Sequence, residues 1–152
     1  MENTASEYML IALDLAGQAA ACGEVPVGAV VVHAATGEVI ASACNKTEVD
    51  HDPTGHAEII AIREACKKLN NSRLSDCDLY VTLEPCTMCA GAISFARIRR
   101  LVFGAYDVKG GGVEHGACFY EQPTCHHKPE VIGGVLESQC GVILKDFFTT
   151  KR

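Results

Sequence analysis

Apolar and polar positions change period several times along the chain, and each change marks a predicted element. Over residues 4–22, Met9, Ile11, Leu13 and Leu15, with Ala12, Ala16 and Ala19, stand among polar positions, which predicts an Ala-rich helix closed by Gly23. The run Val-Pro-Val-Gly-Ala-Val-Val-Val at 25–32 predicts a buried strand, residues 35–38 a turn, and Val39–Cys44 its hairpin partner. Pro26 has no N–H for a ladder, so the first strand either begins there or lies at an edge. A polar loop at 45–55, with the turn signal Asp52-Pro53, leads into a helix over about 56–69. Its apolar residues Ile59, Ile60, Ile62, Ala65 and Leu69 occupy more than one face, as expected of a helix packed on a sheet.

The second half repeats this alternation. Residues 78–83 predict a strand that delivers Pro85 and Cys86 directly to a helix running to about Arg97, and 101–105 predict a further strand. Lys109-Gly-Gly-Gly lacks both the Lys-Ser/Thr ending of a phosphate loop and a dinucleotide-binding pattern, so it reads as a flexible loop. Residues 116–128 are irregular, 131–135 suggest a short strand, and 138–148 form a closing helix with Val142, Ile143, Phe147 and Phe148. The order α-β-β-α-β-α-β, then β and α, predicts the α/β class: a three-layer α/β/α sandwich with a central mixed sheet of about five strands. The two helices at 56 and 86 follow strands expected to be adjacent, so both can start at one edge of that sheet. With no internal repeat or linker, residues 1–152 suit a single domain that buries about two thirds of its unfolded surface.

Composition narrows the function classes. The formal charge of −6 argues against a broad nucleic-acid surface. Cations nevertheless gather late in the chain, at Arg97, Arg99, Arg100 and Lys109 and again at Lys128, Lys145, Lys151 and Arg152, as a solvated face or a local phosphate-binding patch. Nine cysteines at irregular spacing, following a first segment with neither a basic nor an apolar stretch of a secretory signal, point to reduced thiols in a cytoplasm. No apolar run reaches the ~18 residues needed to span a bilayer.

Candidate chemistry concentrates in residues 51–89, which open with His-Asp-Pro-Thr-Gly-His-Ala-Glu and close with Glu-Pro-Cys-Thr-Met-Cys. Cys86 and Cys89 share one face of a helix that starts near Pro85, a residue whose missing N–H costs nothing in a first turn. With His56 they form an imidazole and two-thiolate set, soft enough to favour zinc over magnesium or calcium. Three ligands leave a fourth position for water, whereas a closed structural site needs another Cys or His at short spacing, and no second C-x-x-C exists. On a helix Glu58 is turned about 200° from His56, so it serves as a neighbour that handles protons and not as a ligand. Zinc lowers the pKa of its water from ~15.7 to about 7, within reach of such a carboxylate. If both helices aim their N-termini at the metal, their dipoles favour thiolate and hydroxide as well. His126 and His127 have nothing beside them to complete a second set.

The pattern His56-x-Glu58 followed by Pro85-Cys86-x-x-Cys89 resembles the zinc-dependent nucleobase deaminases. Flanking segments extend the resemblance, over nearly the whole chain, to the bacterial tRNA-specific adenosine deaminases. They are Glu24-Val-Pro-Val-Gly-Ala-Val, Asn45, His51-Asp-Pro-Thr, Leu79-Tyr-Val-Thr-Leu-Glu-Pro-Cys-Thr-Met-Cys-Ala-Gly-Ala, Val102-Phe-Gly-Ala with Asp107 and Lys109, and Asp146-Phe-Phe. The resemblance implies a cytidine-deaminase-like fold, one zinc ion per subunit and a homodimer whose anticodon pocket borrows from both subunits. The substrate it implies is the adenosine at the wobble position of an arginine tRNA, converted to inosine. It also assigns Asn45 to the base, and Asp107 and Lys109 to sugar and phosphate. Three departures stand out: Gly55 replaces an expected Ala, Tyr106 stands where a basic residue is common, and the chain ends at Arg152 without a long basic tail.

The expected reaction has Glu58 take a proton from water that attacks C6, then deliver protons to N1 and to the departing amino group. As bland readings, Asn45 is a turn residue, and Asp107 and Lys109 are solvated loop charges. Two other functions stay open. One is deamination of a free nucleobase or nucleotide such as guanine or deoxycytidylate. The other is a non-catalytic, zinc-stabilised binding module, in which His51 or Cys44 fills the fourth position and Glu58 has no task.

Overall fold

The structure is a computed structural model that describes residues 4–150; residues 1–3, and with them the start of the first segment, lie outside the described residues, as do Lys151 and Arg152 of the late cationic group. Strand β1 (Gly28–His33) is an interior strand of the sheet. Antiparallel neighbours flank it, β2 (Val39–Cys44) on one side and β3 (Cys77–Leu83) on the other. Beyond β3 the sheet continues in parallel with β4 (Arg100–Ala105) and β5 (Glu130–Ile132), giving the order β2-β1-β3-β4-β5. The expected mixed sheet of five strands is therefore present.

Both faces of β1 are covered, which explains why its sequence is an unbroken apolar run rather than an alternating one. Ala29 and Val31 point into a core shared with α2 (Ala57–Leu69) and α3 (Thr87–Phe95). Val30 and Val32 point the other way, into a core with Met9 and Ala12 of α1 (Ala5–Ala21) and Cys140 of α4 (Glu137–Thr150). Two cores on opposite faces of one sheet make the predicted three-layer α/β/α sandwich. Thr4 caps α1 by accepting the Glu7 N–H, and Gly23 follows its last turn at a φ of +79°.

Three boundaries moved. β1 starts at Gly28, so Pro26 precedes the strand, and the strand is interior rather than at an edge. β5 ends at Ile132 because Gly133 sits against Phe103 and Tyr106, and Gly134, at a φ of +87°, turns the chain away. α3 begins at Thr87 and stops at Phe95, before Arg97, which adopts a φ of +62°.

The strands that lead into the two metal-motif helices are not adjacent: β1 lies between β2 and β3. The expected convergence survives for a different reason. Each of β2 and β3 runs antiparallel to β1, so the two run in the same direction and their C-terminal ends share one edge of the sheet.

At the opposite edge, Arg99 grips Asp78 through Nε at 2.9 Å and Nη2 at 2.7 Å, and Arg100 Nε meets Glu130 at 2.8 Å. Those two cations of the late cluster are spent on ion pairs away from Cys86, so they form a paired, solvated edge and not a phosphate patch beside the site.

Gly28 marks the closest approach of helix and sheet. A Cβ there would overlap the Ala12 carbonyl oxygen and press on Ala16 N and Leu15 Cβ, each at 2.9 Å. Because Ala12 O and Ala16 N belong to the α1 backbone, the clash cannot be relieved by a side-chain rotation. Gly28→Ala is expected to lower stability by about 1–3 kcal/mol, the usual cost of overpacking, and to be read as a lower denaturant midpoint at unchanged slope.

Candidate metal centre and its flanking loops

His56 and Cys86 occupy equivalent positions: each is the N-cap of its helix, in extended conformation (φ −77°, ψ 148° and φ −70°, ψ 174°). N-caps ordinarily turn a side-chain oxygen back onto the first free N–H groups. Neither side chain does so here. Instead His56 Nδ1 lies 3.6 Å from Cys86 Sγ and 3.4 Å from Cys89 Sγ. Pro85 thus stands one residue before the N-cap, not in the first turn. The Cys pair still converges, because an N-cap side chain and the third helical residue lie together at a helix start.

This donor set fits zinc. A tetrahedral ion with bonds of ~2.3 Å to sulfur and ~2.0–2.1 Å to nitrogen separates those two ligand atoms by about 3.6 Å. The three ligand atoms all lie within 4.8 Å of one another, and among the described residues this group includes neither His51 nor Cys44. A fourth position is left open. The helix starts at His56 and Cys86 also bring the positive ends of two dipoles to the ligand atoms.

The three side chains hold protons unequally. Hydrogen bonds from the Cys89 thiol, and then from His56, pull the Cys86 thiol down to about 4 against the effect of its burial. Cys89 moves far upward, because it donates to Cys86 and is itself buried, and His56 is raised by its own hydrogen bond to Cys86. Imidazole and thiol groups bind a metal only when deprotonated, so metal binding at this set would release protons.

Glu58 is the second residue of α2, only 4% exposed, with its carboxyl against Cys89. Burial raises its pKa to about 7, while its own backbone N–H and His56 act in the opposite direction. A carboxyl that titrates near neutrality can both accept and give a proton at the same pH.

The family resemblance assigns Asn45, Asp107 and Lys109 to the substrate; they lie on two loops, one running from Asn45 into the start of α2 and one held to Pro85 just before α3. Asn45 is buried, and its Nδ2 donates to Glu24 Oε1 and Thr47 Oγ1, each at 3.4 Å. Glu24, 1% exposed, also accepts Val49 N at 2.6 Å, Glu48 N at 3.2 Å and Thr47 Oγ1 at 3.3 Å, and so ties down the start of the 45–55 loop. Gly55 closes that loop by accepting Lys46 N at 2.9 Å. An added Cβ there would sit 3.1 Å from Asp52 O, so a methyl requires the turn to yield slightly.

On the other loop, Asp107 Oδ1 accepts Gly110 N at 2.9 Å and Lys109 is exposed. This glycine-rich loop is pinned, contrary to the flexible loop expected. Gly111 and Gly112 are buried against Glu84 and Thr87, and Gly112 N donates to Pro85 O at 2.8 Å.

Two residues that the sequence reading passed over hold these loops: Glu24 and Glu84. Glu84 Oε1 accepts Asp107 N at 3.0 Å and His115 Nδ1 at 2.8 Å, and Oε2 accepts Val113 N, Glu114 N and His115 N at 3.2, 2.9 and 3.1 Å. Its burial pushes the pKa up, and the Asp107 N–H, His115 and the other N–H donors more than reverse this, so the carboxyl ends below its ordinary value. The available signal was a charged residue in an otherwise apolar context: Glu24 just before the first strand, and Glu84 directly after the apolar β3. Tyr106, in place of a basic residue, packs its ring edge-on to Phe103 at 5.0 Å and to His115 at 6.2 Å.

Comparison with known proteins agrees with this arrangement. Residues 2–105 match the family model described as the cytidine and deoxycytidylate deaminase zinc-binding region. The chain is 55% identical over 147 residues to a tRNA-specific adenosine deaminase of Agrobacterium fabrum, covering 97% of this chain and 95% of that one. It is 49% identical over 146 residues to the enzyme of that name from Haemophilus influenzae, covering 96% and 84%. A solved structure from studies of A-to-I editing by tRNA:A34 deaminases superposes with a TM-score of 0.88 at 56% identity, over 91% of this chain and 99% of that chain. The chain therefore belongs to the zinc-binding cytidine and deoxycytidylate deaminase family, among the tRNA-specific adenosine deaminases.

Proposed function

We propose that this chain hydrolyses the adenosine at the wobble position of a tRNA anticodon, that of an arginine tRNA, to inosine and ammonia. The observation that carries this reading is a three-ligand centre with an open fourth position and Glu58 buried beside it, in a chain of this family. The anticodon loop offers its bases unpaired, so the target enters a pocket without breaking a duplex. A purely structural zinc module has no need of a buried carboxylate raised towards neutrality, and neither His51 nor Cys44 is placed to close the centre.

His56, Cys86 and Cys89 would hold one zinc ion per subunit. When bound, zinc supplies a Lewis acid that makes water a nucleophile near neutral pH. Glu58 removes a proton from the attacking water and returns protons to N1 and to the amino group that leaves as ammonia. Its burial keeps bulk water from competing for that proton. Asn45, held by Glu24, would hydrogen-bond the base, and Asp107 and Lys109 would position sugar and phosphate.

We further propose that the chain acts as one domain, works in the cytoplasm with its thiols reduced, and forms a homodimer. All nine cysteines are free, and among the described residues no helix is long and apolar enough to cross a membrane. Phe95 on α3 is 81% exposed, beside a groove of about 540 Å³ lined by Ile59, Ile62 and Ala92. Arg63, Arg73 and Arg97 also line this groove, and an exposed aromatic beside a mixed apolar and cationic groove suits a face between two copies.

Three measurements test these assignments. The zinc-loaded protein is expected to form inosine in an arginine-tRNA anticodon stem-loop carrying a wobble adenosine, while guanine, cytidine and deoxycytidylate stay intact; turnover of a free base with the stem-loop untouched would overturn the substrate. Glu58→Ala should lower kcat at least ~10²–10⁴-fold, the range for loss of a general acid–base group, with zinc content retained, whereas Cys86→Ala should lose the metal in elemental analysis. Sedimentation of wild type should give a dimer, and Phe95→Asp a folded monomer; a wild-type monomer at working concentration would remove the dimer.

A further inference from the structure

The 107–115 loop is bolted to the residues around Cys86. Glu84, at the end of β3, accepts from four backbone N–H groups of this loop and from His115 Nδ1, and its side chain is fully buried. A carboxylate can only accept, so the 2.8 Å contact fixes the proton of the His115 ring on Nδ1. On either side of Cys86, Pro85 O accepts Gly112 N, and Thr87 leaves no room for a side chain at Gly112. Two carboxylate oxygens with roughly four lone-pair positions are saturated by these donors, so an amide in place of the carboxylate must turn an N–H toward one of them.

We infer that Glu84 and His115 are positioning residues that set the place of the 107–115 loop relative to the metal ligands. The inference rests on the reading of the site as an anticodon-adenosine deaminase. Neither residue touches the reacting atoms. Both act through Asp107 and Lys109, which the loop carries, and through the ordering of the loop before RNA arrives. An ordered loop reduces the entropy lost on binding, so loosening it weakens substrate capture more than it slows chemistry. His115 is also the contact through which Tyr106 braces the loop, with the Tyr106 ring seated on Phe103 of the core.

The test uses full-length zinc-loaded protein and the wobble-adenosine stem-loop, with kcat, KM and zinc content measured for each variant. His115→Ala should raise KM by about tenfold while kcat stays within about twofold and zinc stays stoichiometric. His115→Asn, whose amide N–H can stand where the Nδ1–H stood, should recover most of that loss. Glu84→Gln should move KM in the same direction and further. Unchanged KM in both His115→Ala and Glu84→Gln overturns the inference. So does a fall in zinc content or kcat at constant KM, or an Asn variant no better than Ala, which would assign the effect to the ring alone. A wild type inert on the stem-loop but active on a free base would instead sink the substrate reading, and the inference with it.

Discussion

Separations of 3.4 and 3.6 Å from His56 Nδ1 to the two cysteine sulfurs hold only while α2 and α3 start at the same edge of the sheet. That requirement reaches far into the fold. It needs β2 and β3 to run in one direction, which the antiparallel β1 between them secures. It also needs both helices seated against one face, which the small side chains Ala57, Ala61, Ala65 and Ala90 permit by letting backbone and sheet approach closely. Two of the three candidate ligands, His56 and Cys86, occupy N-cap positions, so each helix forgoes a cap of its own, a loss of about 1 kcal/mol that metal binding would more than offset.

Three buried glutamates illustrate how surroundings divide one side-chain type into different tasks. Glu58 sits among apolar atoms and thiols with few donors, and burial dominates, lifting it to about 7. Glu84 is equally enclosed but faces backbone N–H groups and His115, and they hold it ionised. The first has the titration range that a proton carrier needs, and the second is an anchor. Glu24 repeats the anchoring arrangement for the loop that begins at Asn45. Hydrogen bonds to a charged acceptor contribute about 1.5–3 kcal/mol each, enough to offset the cost of burying a carboxylate when several converge.

The acidic surface and the RNA substrate are compatible on this arrangement. Arg99 and Arg100 are consumed at the far edge by Asp78 and Glu130, so they do not create a broad cationic field near the site. The two loops beside the candidate metal centre are held in place by Glu24 and Glu84 and not by a cationic surface.

The sequence by itself determined the candidate metal set, because His-x-Glu and Pro-Cys-x-x-Cys encode chemistry in local spacing, and it determined the layer order, because hydrophobic period tracks helix and strand. Tertiary structure alone decided the rest. Strand order cannot be read from local pattern, since β2, β1 and β3 are all largely apolar and local pattern does not say which pairs with which, and β1 proved to separate the two strands expected to be neighbours. The start of α3 shifted past Pro85 because the cap position is set by where Cys86 must point. The loop Lys109-Gly-Gly-Gly looked flexible because glycine removes side-chain contacts from view. Its order comes from Gly110 N and Gly112 N donating to Asp107 and Pro85, and from the flanking N–H groups of Asp107, Val113 and Glu114 meeting Glu84, more than twenty residues away in the chain, which only the folded sheet brings near.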